Sequence, residues 1–259
     1  MNETLLLTIL VGAVVGAVSG YIGSIMVLKR MALVGDALTH VALPGMAIAL
    51  AINANPLVGA FITLTLVIVG IWYLEKSSGT YPEALVGVFF TASLALGVLL
   101  TDELELLEAL FGSLENTTTV SGLITISLSL LVFLTIKRIS KGLIISTISP
   151  EIAQTTGINV ARTNLIYMLM VGLIVSLGIK FVGTLLMGAL VIIPAVAARN
   201  ITRSMNEYFL MSATFGAISA IVGISVSALV ELPVGAMVVL ISVVFYVSSY
   251  ILKRALKIS

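Results

Sequence analysis

Asp36 and His40 are the residues of this chain best placed to do chemistry. They stand four apart in Gly35-Asp36-Ala37-Leu38-Thr39-His40-Val41-Ala42-Leu43-Pro44-Gly45, and His40 is the only histidine. The flanking sequence is apolar enough for a membrane interior, where an ionisable group costs several kcal/mol and persists mainly where it works. A spacing of four puts both side chains on one helical face, about 6 Å apart along the axis. A carboxylate and a neutral imidazole supply the oxygen and nitrogen donors that suit a divalent transition metal. Pro44 and Gly45 follow one turn later and are expected to kink or break the helix, freeing carbonyls toward a cavity. Spacing alone leaves three readings open: a hydrogen-bonded staple between helices, a proton relay, and a path for a cation. Two side chains are too few for a closed metal site. Partial, weak coordination is what conduction needs, because the ion must leave as readily as it enters.

The elements that must hold this pair are membrane helices. The chain has 259 residues, 59% hydrophobic and 10% charged, with a mean hydropathy of +1.22. A soluble protein of that composition could not hydrate its surface. Apolar runs long enough to cross the hydrocarbon core recur throughout. They predict spans near 5–28, 31–52, 56–74, 83–100, 118–136, 162–179, 181–198, 208–230 and 233–252. That is an all-α, polytopic helical bundle of nine spans, or eight if the thin seam at Lys180 is no boundary. The chain reads as one transmembrane domain over 1–259. The first apolar segment lacks a basic leader and reads as a mature helix. Having no cysteine, the chain has no disulfide and no thiolate chemistry.

With the N-terminus outside, every lysine and arginine except Lys180 falls on the cytoplasmic side, and the C-terminus is cytoplasmic too. Acidic residues gather at the opposite face, and 101–112 reads as a short amphipathic helix on the outer surface. Gly12, Gly16, Gly20 and Ser24, and later Gly216, Ala220 and Gly223, form rows of small residues that let helices approach closely. The ten methionines are scattered and read as packing.

A cytoplasmic loop of about 25 residues, 137–161, breaks the pattern of short connections. It holds Ser149-Pro150-Glu151-Ile152-Ala153-Gln154-Thr155-Thr156-Gly157. Ser149 suits an N-cap, Pro150 the first helical position, Glu151 the first turn and Gly157 the stop. Two turns are unstable alone in water, so this helix needs something to pack against: the chain's own helix ends or a cytoplasmic partner.

The stretch Leu28–Gly45 resembles the signature of the membrane permease subunits of ABC importers for zinc, manganese and iron. The likeness continues through Glu83–Gly87, Ala95–Val98, Leu110–Gly112, Pro150–Ala153, Gly157–Asn159, Val182–Leu186, Ile193–Ala198, Ser227 and Glu231–Ala236. It implies a homodimeric permease in the cell membrane, two cytoplasmic ABC ATPase subunits and an extracytoplasmic metal-binding protein that delivers the ion. Asp36 and His40 would be transient metal ligands of the pathway. Glu151, Ile152, Ala153 and Gly157 would belong to the coupling helix seated on the ATPase. Thr39 stands where the pattern usually has Ser and Glu231 where it usually has Asp, so the resemblance assigns Glu231 no ligand role. The chain holds no Gly-x-x-x-x-Gly-Lys-Ser/Thr phosphate loop. It is therefore expected to be no enzyme, with no tightly bound cofactor, ATP on the partner and no nucleic-acid role. Two rivals remain: a secondary cation/proton antiporter using Asp36 and His40, and an ABC permease for metal chelates. A chelate would need a wide cavity and has little use for a bare Asp–His pair.

Overall fold

The computed structural model describes residues 3–100, 110 and 118–255, and among these every regular element is a helix. In chain order they are α1 (Glu3–Leu28), α2 (Ala32–Ala51), α3 (Pro56–Ser78), α4 (Pro82–Leu100), α5 (Thr119–Ile148), α6 (Pro150–Thr155), α7 (Val160–Val182), α8 (Thr184–Ile201), α9 (Met205–Val230) and α10 (Val234–Ala255). Eight of them are long and apolar enough to cross a membrane. The exceptions are the short α6 and α8, whose apolar part, Leu186–Ile201, is shorter. The seam expected at Lys180 lies instead at Gly183, the single residue between α7 and α8. Its φ of 82° is one that glycine adopts without strain. The segment 101–112, read as an interfacial helix, lies outside the described residues apart from Leu110.

Small residues set the closest helix contacts. At the crossing of α1 and α9, a Cβ on Gly16 would collide with the Gly216 carbonyl, and one on Gly20 with the Ser212 carbonyl. The glycine rows are therefore packing surfaces, as their spacing implied. Gly45 does the same for α2 and α3, meeting the backbone of Gly59. Pro44 is carried inside a continuous α2, so of the kink or break expected there, the break is absent. The reason is steric as much as local: α2 is enclosed by α3, α4 and α8, and that packing holds the helix together across the missing N–H.

Long-range hydrogen bonds gather at the end of the bundle that carries Lys29. Tyr167 on α7 donates to the Ile22 carbonyl (3.1 Å), and Tyr208 on α9 donates to that of Ser24 (3.3 Å), both near the C-terminal end of α1. Asn200 of α8 reaches Ser249 of α10 at 3.1 Å. Lys29 Nζ donates to Asn164 Oδ1 at 2.9 Å. This basic end also holds a cavity of about 280 Å³, lined in part by Lys29, Trp72, Glu75, Glu83, Asn164 and Tyr167. Here α5 differs from expectation, running on to Ile148. Lys137, Arg138 and Lys141 thus ride on a helical extension and not in an irregular loop, and the connection shrinks to 149–159. Long apolar helices propagate cheaply once begun, and nothing between 137 and 148 stops this one.

Candidate functional site

Burial separates α2 from its neighbours. Within its apolar window 78% of residues are buried, against 22% in α3 and α4. A helix enclosed on nearly all sides presents polar side chains to protein and not to lipid. Asp36 begins the second turn of α2 and His40 follows one turn on, so the spacing did place them on one face. The Thr39 hydroxyl lies between them and donates to the Asp36 carbonyl at 2.7 Å, satisfying itself within the helix.

Asp36 is seated against α8. A Cβ on Gly188 would lie 2.6 Å from Asp36 Oδ1 and 2.8 Å from its Cα, so only glycine leaves room there. His40 is 8% exposed, and its ring meets Phe90 of α4 edge-on at 5.4 Å between centroids. His40 Nδ1 is buried with no hydrogen-bond partner. Among the described residues no hydrogen bond joins the two side chains. The staple reading therefore lacks the bond it requires. Among the same residues, no cluster of three or more His, Asp or Glu side chains could hold a metal. What the site offers is a carboxylate and an unpartnered imidazole nitrogen, one turn apart, in the most enclosed helix of the bundle. Such a pair can coordinate a cation partially and release it.

Sequence reasoning missed Gly188 and Phe90. A lone glycine in an apolar helix does signal close backbone approach, but it does not name the residue that approaches. Glu231 is exposed and caps α9 with φ 56°. The structure does not bring it to the pair by any contact.

The second group of predicted residues lies at the basic end. α6 forms as its sequence dictates. Ser149 caps it, accepting from Ile152 N at 3.2 Å and donating to Glu151 Oε2 at 2.7 Å. That hydrogen bond draws the exposed Glu151 carboxyl below its ordinary value. Gly157 ends the segment at φ 81°. Ala153 is fully buried, whereas Ile152 is 57% and the preceding Ile148 80% exposed. Ala153 thus anchors α6 while Glu151, Ile152 and Gly157 face outward.

The sequence pattern of the ABC 3 transport family matches residues 1–253. This chain belongs to that family. It is 34% identical to the manganese transport system membrane protein MntC of Halalkalibacterium halodurans, covering 88% of this chain and 80% of that protein. It is 32% identical to the high-affinity zinc uptake system membrane protein ZnuB of Haemophilus influenzae, covering 96% and 97%. A solved structure of PsaBC from Streptococcus pneumoniae in complex with Fab superposes with a TM-score of 0.85 at 26% identity, over 96% of this chain and 92% of that one. The multi-pass helical fold and the role of a transport component follow from family membership.

Proposed function

We propose that this chain is the permease subunit of an ATP-driven ABC importer that carries a divalent transition metal ion, Mn²⁺, Zn²⁺ or Fe²⁺, into the cell. The manganese and zinc systems named for its relatives support that substrate class. The observation that carries the reading is the buried, unpartnered Nδ1 of His40, one turn from the Asp36 carboxylate. Asp36 and His40 serve as transient ligands. With only two donors the ion is held weakly, which favours passage over storage. The basic end faces the cytoplasm and the N-terminus lies outside, as the distribution of lysine and arginine favours.

Energy enters through partners. Cytoplasmic ABC ATPase subunits dock on α6 and the end of α5, where Ile148 and Ile152 expose apolar surface beyond the spans. Glu151 and Gly157 complete that face, and the buried Ala153 transmits its movement to the bundle. A second copy of the chain and an extracytoplasmic metal-binding protein complete the importer. The unpartnered imidazole and the missing Asp–His hydrogen bond give no support to a proton relay, and a chelate has no need of this pair.

The test is His40→Ala, measured as Mn²⁺ and Zn²⁺ accumulation in cells whose own copy of this chain is replaced by the variant. Accumulation should fall by more than about tenfold, since even a residue that only orients a metal ligand is worth that much. Unchanged accumulation at normal membrane abundance would reject the ligand assignment.

A further inference from the structure

A second buried polar atom without a partner lies on the helix that faces Asp36. Thr184 is 0% exposed, and its Oγ1 finds no hydrogen bond. It is the first residue of α8. Two contacts fix the register between α2 and α8: Gly35 lies beside Ile192, and Asp36 beside Gly188. The two helices are therefore antiparallel, since Ile192 is further along α8 and Gly35 earlier along α2. One turn away from the basic end, about 6 Å on, α2 presents His40 and α8 presents Thr184. Thr184 and Gly188 are four apart and share a face, as Asp36 and His40 do. The register thus brings His40 and Thr184, each carrying an unpartnered polar atom, to about one level along the two helices, one turn beyond Asp36 and Gly188.

Thr184 differs from the other unsatisfied hydroxyls. Ser19, Ser129 and Ser219 lie inside helices, where a change of rotamer offers the carbonyl one turn back. Thr8, Thr125, Ser212 and Ser242 do bond that carbonyl. Thr184 has no preceding turn in α8, because the chain reverses at Gly183. A buried hydroxyl with nothing to bond weakens the fold unless something else occupies it.

We propose that Thr184 Oγ1 is a third donor to the transported cation, joining Asp36 and His40 at the junction of α2 and α8. This rests on the pathway reading above. A neutral hydroxyl oxygen adds no charge, so it strengthens coordination without trapping the ion. Oxygen donors matter more to Mn²⁺ than to Zn²⁺, for which imidazole suffices. Thr184 therefore biases the path toward the harder ion.

The experiment compares Thr184→Val and Thr184→Ser with His40→Ala in the full-length chain. Mn²⁺ and Zn²⁺ accumulation are measured in cells, and thermal stability in detergent. Valine keeps the shape and removes only a hydroxyl that bonds nothing. It should preserve or raise thermal stability while cutting Mn²⁺ accumulation about tenfold and Zn²⁺ accumulation less. Serine should restore both. A purely structural threonine cannot give that pattern. If Thr184→Val accumulates both ions like the parent while His40→Ala does not, the third-donor assignment is wrong and the pathway stands. If valine and serine both lose stability and uptake alike, the side chain serves packing and the assignment is again wrong. If neither His40→Ala nor Thr184→Val lowers accumulation, the pathway reading itself has failed.

Discussion

The Lys29–Asn164 contact at the basic end and the α2–α8 junction treat polar groups in opposite ways. At the basic end Lys29 donates to Asn164 and lies within electrostatic reach of Glu75. Every long-range hydrogen bond in the described chain between α1 and the helices around it also gathers there. At the junction His40 Nδ1 and Thr184 Oγ1 are left without partners. A buried polar group that is paired contributes to stability, and one left bare costs it. The first arrangement therefore clamps helices together. The second forgoes stability and leaves two polar atoms bare.

The sharpest way to break this contrast is Gly188→Ala. The added methyl would press on the Asp36 side chain and backbone. Overpacking of this kind costs about 1–3 kcal/mol and moves the carboxylate off its seat. Metal accumulation should drop together with thermal stability. Parent-like accumulation would mean that the carboxylate needs no fixed position.

Lys29→Met should separate the two regions in the other sense. Losing a hydrogen bond from a charged, partly buried donor costs about 1.5–3 kcal/mol. The melting temperature in detergent should fall while uptake per folded molecule stays near the parent's. Burial pushes the Lys29 ammonium below its ordinary 10.5, with Glu75 opposing the shift. In the window just beneath that ordinary value the unfolded chain then binds more protons than the folded one, so stability rises with pH there. The methionine variant should lose that rise. A flat profile in the parent would remove the buried charge from the account.

The smallest effect should follow Ser149→Ala. The capped end of α6 loses a side-chain acceptor for Ile152 N, worth about 1 kcal/mol of local helix stability. Glu151 loses the hydrogen bond that lowers its carboxyl and should titrate nearer its ordinary 4.5. A depressed carboxyl stabilises above its unfolded value and less so as pH falls through the folded one, so the parent helix should fray only in acid. Hydrogen exchange at 150–157 should quicken, with uptake lowered modestly if this segment carries the motor's stroke. Unaltered exchange would show that Ala153 alone seats the helix.

Much of this was legible in the chain itself. Hydropathy runs set the helices, because each span must satisfy its own backbone in lipid and little else can. Ser149, Pro150 and Gly157 spelled out α6, since capping is decided within a few residues. The pairing of Asp36 with His40 followed from helical spacing alone. Boundaries were less legible. The end of α5 at Ile148 and the turn at Gly183 depend on how far helices continue once packed. The intact α2 across Pro44 likewise depends on its neighbours.

Composition and period thus determined by themselves that the chain is a membrane bundle with one acidic and one imidazole donor on a shared face. Only the tertiary structure decided that this face is enclosed, that Gly188 of α8 gives the carboxylate its seat and that His40 Nδ1 and Thr184 Oγ1 are buried without partners. The physical reason is one of range. Helical period and capping act over a few residues, whereas Asp36 and Gly188 meet only after well over a hundred intervening residues have folded and packed. No local rule can set that register.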